Sequence, residues 1–298
     1  MPQIYRDNHS SLSKLLEEAG ANGNATLLIP DIQRPYVWSP RQVTLLVDSL
    51  LRGWPFGSLL LWSVGKDQVA KMPWREFTHI IDRVDSTSEG VSTKQQPATY
   101  RMVLDGQQRV QSLLLAFGKE DWGFKLKDAA WNEVMKDKKP RGRAASHWSL
   151  GLLCLDLVEL QSAVKSRKFA HVDFSSGPLT WATLSSKKHR SETKRSRNYA
   201  YPLEAADDPE CLGRFVRLSR LWDIAGDQSI QNSEDYEEAV KDLFEQHTTQ
   251  LDLANELQKP LEDMVRKLRE VRDTRVTFLE VDQYDKKWAK NRCIWSRW

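Results

Sequence analysis

The sequence predicts a mixed α/β (α+β) fold over residues 1–200 and a mostly helical region over residues 201–298. Two observations predict the first part, because apolar runs of strand type are followed directly by helical patterns at 25–52 and at 100–117. A third observation predicts the second part, because apolar residues recur at helical spacing across 234–273. We therefore expect a mixed sheet covered by helices.

The first elements are predicted from their boundary residues. SSLSKLLEEAG (10–20) predicts a short helix with a serine N-cap and a glycine stop. ATLLIPDI (25–32) predicts a strand whose proline suits a strand end or a sheet edge. Residues 40–52 predict a helix, with proline in its first turn and glycine just after it. The next segments predict a turn, GWPFG (53–57), and a buried strand, SLLLWSV (58–64).

The later elements are predicted in the same way. YRMVL (100–104) predicts a strand, and a helix from about 107 to 117 follows at once. GLLCLDLVEL (151–160) has the continuous apolar character of a buried strand. We expect Pro260 to divide the helical pattern of 234–273 into two helices, and TRVTFLEVD (274–282) to form a last strand.

The composition is that of a globular protein. Of the 298 residues, 40% are hydrophobic and 29% are charged, and no run of about 18 apolar residues predicts a membrane span. The N-terminus lacks the basic and then apolar order of a signal peptide. Three distant cysteines and six scattered histidines predict neither disulfides nor a protein-built metal centre. These features favour the cytoplasm.

Charge is concentrated locally, although the net charge is only +3. KDKKPRGR (136–143) and KKHRSETKRSR (187–197) are dense in cations. Each run either contacts phosphates or is a solvated loop, and the sequence alone leaves both interpretations open.

The first candidate motif is IPDIQRPYVWS (29–39), which lies between a predicted strand and a predicted helix. Gln33 can donate and accept hydrogen bonds, and Arg34 presents a planar fork suited to phosphate or carboxylate. Tyr36 and Trp38 offer flat faces for a base or a sugar. The alternative is a rigid loop with its arginine paired locally and its aromatic residues in the core.

The second candidate motif is DGQQR (105–109), which also lies at the end of a strand and the start of a helix. Open sheets bind ligands at the carboxyl ends of their strands, and helix N-termini favour phosphates. Gly106 permits a sharp turn and a close approach to a ligand.

The side chains of this motif suit phosphoryl transfer. Asp105 can hold nucleotide-bound Mg²⁺ or accept a proton. Gln107 or Gln108 can orient an attacking water, and Arg109 can neutralise charge on a phosphoryl group. The alternative is an aspartate that only caps the helix and an arginine on a solvated face.

The turn GWPFGS offers a third candidate, because Gly53, Gly57 and Ser58 can expose backbone N–H groups to an anion. More often such a segment is only a turn. The P-loop pattern GxxxxGK[ST], a nucleophile elbow and a Cys/His pair are absent from the sequence.

Together the motifs resemble a known family. IPxxQRxYxW, a helix, GxPxG and then DGQQR, in this order and spacing, are similar to the N-terminal domain of GmrSD- and SspE-type modification-dependent restriction systems. That domain is similar in turn to ParB/sulfiredoxin-like folds. The resemblance is strong from about 25 to 117, and it continues more weakly through 150–160, 201–222 and the helices beyond.

The resemblance implies an NTP-binding and NTP-hydrolysing sensor domain over 1–200, with NTP and Mg²⁺ as cofactors. It implies hydrolysis by four residues: Asp105, Gln107, Gln108 and Arg109. It implies that Gln33, Arg34, Tyr36 and Trp38 line a nucleotide or DNA pocket. The residue types of the turn and of the second motif add Gly57, Ser58 and Gly106 to the predicted binding residues. The implied partners are modified phage DNA and an HNH-type nuclease domain or subunit, in antiviral defence.

Two departures from the family pattern matter. No HNH motif is present, so we do not expect this chain to cut DNA by that mechanism. The family continues after a strand like VTFLEV into a helix with an FxxxN-type segment, whereas DQYDKKWAKNRCIWSRW (282–298) has no amphipathic period. We expect a truncated or altered tail, which leaves the helical region over 201–298 and a homodimer contact open.

Two other functions remain open at this stage. One is a nucleotide-switched DNA-binding module without significant hydrolysis, as in ParB-like proteins. The other is DNA cleavage by the ParB-like pocket itself. The base of the nucleotide, the DNA modification and the oligomeric state are not specified by the residues.

Overall fold

The computed structural model describes residues 5–21, 25–65, 73–82, 99–118, 122–127, 148–184, 215–247 and 251–282. The strands are β1 (Tyr5–Ser11), β2 (Leu27–Pro30), β3 (Ser58–Gly65), β4 (Trp74–Arg75), β5 (Ile80–Asp82), β6 (Thr99–Asp105), β7 (Gly123–Lys127), β8 (Trp148–Asp156), β9 (Leu179–Leu184), β10 (Phe215–Arg217) and β11 (Arg275–Asp282). The helices are α1 (Leu12–Leu16), α2 (Pro40–Leu51), α3 (Gln107–Phe117), α4 (Leu157–Ser166), α5 (Leu218–Gly226), α6 (Ser233–His247) and α7 (Leu251–Arg272).

The strands form two mixed sheets, which confirms the predicted α+β class. The first sheet has the order β1-β11-β3-β6-β2-β4, and the second has the order β10-β8-β7-β5 with β9 also paired to β8. In the first sheet β2 is parallel to β6 and β11 is parallel to β3. The other three pairs of neighbouring strands in this sheet are antiparallel.

Helix α3 lies at the centre of the core. Ten of its eleven residues are buried, and Arg109 is the exception. Its apolar side chains share one cluster with those of α2, α5 and α7 and with both sheets. The first turn of this helix carries Gln107, Gln108 and Arg109 of the DGQQR motif, so the two glutamines lie inside the protein rather than on an exposed helix face.

Polar contacts join helix α2 to β9 of the second sheet and to the segment that precedes β9. The indole Nε1 of Trp181, on β9, donates to Pro40 O and to Thr44 Oγ1, each at 3.0 Å. The buried carboxylate of Asp48 accepts the backbone N–H of Phe174 at 2.8 Å and Arg52 Nε at 2.7 Å. Helix α2 is therefore held at both ends, and so are the loops that flank it.

Two predicted boundaries are corrected by the structure. Within 10–20, Ser10 and Ser11 belong to β1, and the Ser11 side chain caps a five-residue α-helix that continues as a π-helical turn, Glu17–Ala21. Within 151–160 the strand ends at Asp156, because its carboxylate accepts the N–H groups of Val158 and Glu159 and starts α4.

Pro260 does not break the helical region, contrary to prediction. It lies inside α7, which runs as one helix from Leu251 to Arg272. A proline inside a helix costs about 3 kcal/mol. Burial of the α7 side chains that follow it outweighs this cost, because Leu261, Met264, Val265 and Leu268 are fully buried.

The domain boundary at residue 200 stays a prediction, because 185–214 lie outside the described residues. The last strand, β11, is nevertheless part of the first sheet, between β1 and β3. The basic runs, Cys211, Cys293 and the tail 283–298 also lie outside the described residues. Among the described helices, none is long and apolar enough to cross a membrane.

Asp48→Ala should destabilise the protein by about 1–3 kcal/mol, because the buried N–H of Phe174 would lose its acceptor. Urea unfolding measures this change. Asp242→Ala, which removes an exposed carboxylate from α6, is the control and should change the free energy of unfolding by less than about 0.5 kcal/mol. Equal effects of the two substitutions would contradict this role for Asp48.

Candidate functional site

Three loop segments meet at one edge of the first sheet. Strands β2 and β6 are parallel neighbours, so their carboxyl ends lie at the same edge. Strand β3 is antiparallel to β6 and begins at that edge, where Leu60 pairs with Asp105. The loop 31–39, the turn 53–57 and the DGQQR motif are therefore neighbours. We call this region the sheet-edge site.

A bulge at the end of β6 connects the first motif to the second. Leu60 pairs with Asp105 and Leu61 pairs with Val103, so Leu104 is the extra residue. The Leu104 carbonyl accepts the side-chain amide of Gln33 at 2.9 Å. Gln33 thus satisfies a backbone group that lies outside the β3–β6 ladder.

Side-chain donors hold the backbone of the loop 31–39. Arg75 Nη2, on β4, donates to the carbonyls of Gln33 at 2.9 Å and Arg34 at 3.0 Å. Gln107 Nε2 donates to the Arg34 carbonyl at 3.1 Å. Because these carbonyls point inward to donors, the Arg34 side chain is left exposed on the outer surface.

Gln108 contacts the same loop in both directions. Its Nε2 donates to Pro35 O at 3.2 Å, and its Oε1 accepts the N–H of Val37 at 2.9 Å. Ser112 Oγ lies 2.7 Å from both the Gln108 carbonyl and the Tyr36 hydroxyl. Both glutamines are buried. The sequence predicted that Gln107 or Gln108 orients an attacking water, whereas in the structure both side-chain amides contact backbone groups of the loop.

Arg109 joins the motif to the turn 53–57. Its Nη1 donates to Phe56 O at 2.9 Å and its Nη2 donates to Ser58 O at 2.7 Å, with the guanidinium over the Phe56 ring. The same Nη2 lies 3.8 Å from Asp105 Oδ2. A Cβ at Gly57 would overlap Arg109 Nη1, and the Gly57 backbone has a φ of +90°. The alternative of a solvated arginine is therefore wrong.

Asp105 differs from the other side chains of its motif because it faces solvent. Its side chain is 78% exposed. The helix is capped instead by Gly106, which has a φ of +93°, and no side chain accepts a hydrogen bond there. The alternative of a plain aspartate N-cap is therefore also wrong. The start of α3 keeps its positive dipole end beside an exposed carboxylate.

The remaining predicted residues lie around this edge. Gly57 and Ser58 are exposed, whereas Trp38 and Tyr36 are partly buried. Tyr36 packs against Phe124 of the second sheet, with ring centroids 6.0 Å apart.

Arg75 and Ser112 are site residues that sequence reasoning missed. Arg75 lies in a mixed polar stretch with no pattern to mark it. Ser112 had a usable signal, since it is a polar residue inside the apolar face of a predicted helix. A buried polar side chain needs a partner, and such a position often marks a specific contact.

The side chains of the described residues offer few ligands to a metal ion. Among the described residues, no three or more histidine, cysteine, aspartate or glutamate side chains form a group that could hold a metal ion. One exposed carboxylate at Asp105 fits a Mg²⁺ ion held mainly by nucleotide phosphates, because Mg²⁺ often takes only one or two carboxylates from the protein.

Comparison with known proteins gives the chain a class, a domain of a restriction system. The family model described as GmrSD restriction endonuclease, N-terminal domain, matches residues 12–291. The match includes all three segments of the sheet-edge site, and the chain belongs to this family. A comparison with curated proteins found no match.

Gly57→Ala should destabilise the protein more than Gly53→Ala. Both glycines have positive φ, so each alanine costs about 1–2 kcal/mol in backbone strain. Only the alanine at 57 meets Arg109, whereas a Cβ at 53 meets nothing within 4 Å. We expect a further loss of about 1–3 kcal/mol at 57 in urea unfolding, from the displaced hydrogen bonds. Equal losses would show that Arg109 does not fix this turn.

Proposed function

We propose that this protein is the NTP-binding and NTP-hydrolysing sensor domain of a modification-dependent restriction system. The nuclease that it regulates would lie in another domain or subunit, and the molecule that it senses would be modified phage DNA. Membership of the GmrSD family supports the role in restriction. The geometry of the sheet-edge site supports the binding of a nucleotide.

The observation that carries the proposal is the start of α3. A helix N-terminus without a side-chain cap presents N–H donors and a positive dipole end, and both favour phosphate. It follows directly on β6, at the carboxyl end of a strand, where open sheets bind ligands. The exposed Arg34 adds a cation to the same edge.

Within the motif the four side chains would have unequal roles. Asp105 is the one that faces solvent, so it would contact Mg²⁺ or the attacking water. Gln107, Gln108 and Arg109 are bonded to backbone carbonyls, so they would position the loops that surround the nucleotide. Mg²⁺ would supply charge neutralisation on the phosphates when bound.

Asp105→Ala should lower phosphate release at least about 100-fold, the smaller contribution expected of one general base. The assay uses ATP, GTP, CTP and UTP with Mg²⁺, with and without modified phage DNA. Because Asp105 is exposed, urea unfolding should be unchanged. Asp242→Ala is the control for the lost charge and should keep full turnover. Turnover that survives in Asp105→Ala would overturn the assignment.

One observation favours a second candidate function. Three of the four residues assigned to hydrolysis already have backbone partners, and such an arrangement suits a site that binds nucleotide and changes shape without turnover. The protein would then be a nucleotide-switched DNA-binding module.

The two candidate functions predict different effects of an NTP and of its non-hydrolysable analogue on DNA affinity. DNA affinity is measured with Mg²⁺ alone, with an NTP, and with its non-hydrolysable analogue. A switch module changes its DNA affinity equally with both nucleotides and releases no phosphate. A hydrolysing sensor releases phosphate, and the effects of the NTP and the analogue diverge as the NTP is consumed.

A further inference from the structure

Trp54 is the most unusual exposed residue beside the sheet-edge site. Its side chain is 63% exposed, whereas Trp122, Trp181 and Trp222 are 3–6% exposed. A tryptophan ring combines a large apolar face with one N–H donor, so an exposed one suits contact with a ligand that has both apolar and polar atoms. Neither the motifs nor the family match assigns this residue a role.

The backbone around Trp54 is fixed by contacts on both sides. Its own N–H donates to Ser49 O, at the end of α2, at 2.9 Å. Two and four residues later, Arg109 donates to Phe56 O and Ser58 O. The indole is therefore presented on a turn that is already ordered, and a ligand would not have to order this turn on binding.

The turn also lies within reach of the start of α3. Arg109 Nη2 lies 2.7 Å from Ser58 O and 3.8 Å from Asp105 Oδ2. Trp54 precedes Ser58 by four residues, so their Cα atoms are at most about 14 Å apart. An extended nucleoside triphosphate covers a span of this order between its base and its last phosphate.

The surface of the neighbouring loop has matching chemistry. Ile32 and Val37 are 67% and 51% exposed, and the exposed Arg34 lies between them in sequence. One edge thus combines apolar and aromatic surface with a cation and a helix N-terminus. All four nucleobases stack on aromatic side chains. Phosphates bind favourably to cations and to helix N-termini.

We propose that Trp54 is the stacking surface for a nucleobase at the sheet-edge site, an inference that rests on the proposed function. The base belongs either to the bound nucleotide or to an unpaired nucleotide of the DNA. In both cases the indole face contacts the ring, and the phosphates lie towards the start of α3.

The test compares ligands with and without a base. Calorimetry measures the affinity of wild type, Trp54→Ala and Trp54→Phe for each of the four NTPs and for inorganic tripolyphosphate, all with Mg²⁺. We expect Trp54→Ala to weaken NTP binding about 5- to 150-fold, the range found when stacking aromatic residues are replaced by alanine. Tripolyphosphate affinity should not change, and Trp54→Phe should keep most of the NTP affinity.

A second arm identifies a base that comes from DNA. Wild type and Trp54→Ala are compared on a single-stranded oligonucleotide and on the same oligonucleotide built from abasic sites. A loss confined to the oligonucleotide with bases, with NTP affinity unchanged, assigns the base to DNA. Leu45→Ala, which trims another exposed apolar side chain of this part of the chain, should be neutral in both arms.

The outcomes separate this inference from the proposed function. If Trp54→Ala binds every ligand as wild type does, the inference is overturned. If wild type binds neither NTP nor tripolyphosphate, the proposed function fails, and the oligonucleotide arm still decides whether Trp54 stacks on a base.

Discussion

The sheet-edge site depends on two buried amides, those of Gln107 and Gln108. Helix α3 passes through the core, so its first turn cannot leave polar side chains in water. A buried side-chain amide without hydrogen-bond partners costs free energy. So do buried backbone N–H and C=O groups of a loop that makes no strand pairing. The amides and the loop 31–39 satisfy each other. Their pairing sets the path of the loop and leaves Asp105 as the side chain of the motif that faces outward.

This arrangement changes how a loss of activity in the motif is interpreted. Removing either glutamine would release the loop 31–39, and removing Arg109 would release the turn 53–57. A loss of turnover in such a variant would therefore not by itself place the residue against a substrate. Stability, ligand affinity and turnover measured together distinguish a residue that reacts from one that positions.

The strand and helix pattern of the site was predictable because it depends on local periodicity and turn residues. The meeting of the two motifs was also predictable, since parallel strands bring their carboxyl ends to one edge. The direction of each side chain was not predictable, because a glutamine amide binds a water molecule or a backbone carbonyl with equal ease. Arg75 had no sequence signal, because its contacts are set by the distant pairing of β4 with β2.

The position of β11 has a consequence for the biosynthesis of the protein. This strand begins at residue 275, so it is synthesised late. In the first sheet it lies between β1 and β3, which belong to the first 65 residues. Until it leaves the ribosome, β1 has no neighbour in this sheet and one side of β3 is an open edge, a template for pairing with other chains. Such long-range pairing slows folding and favours aggregation of the nascent chain. The first sheet therefore becomes complete only when almost all of the described chain has been synthesised.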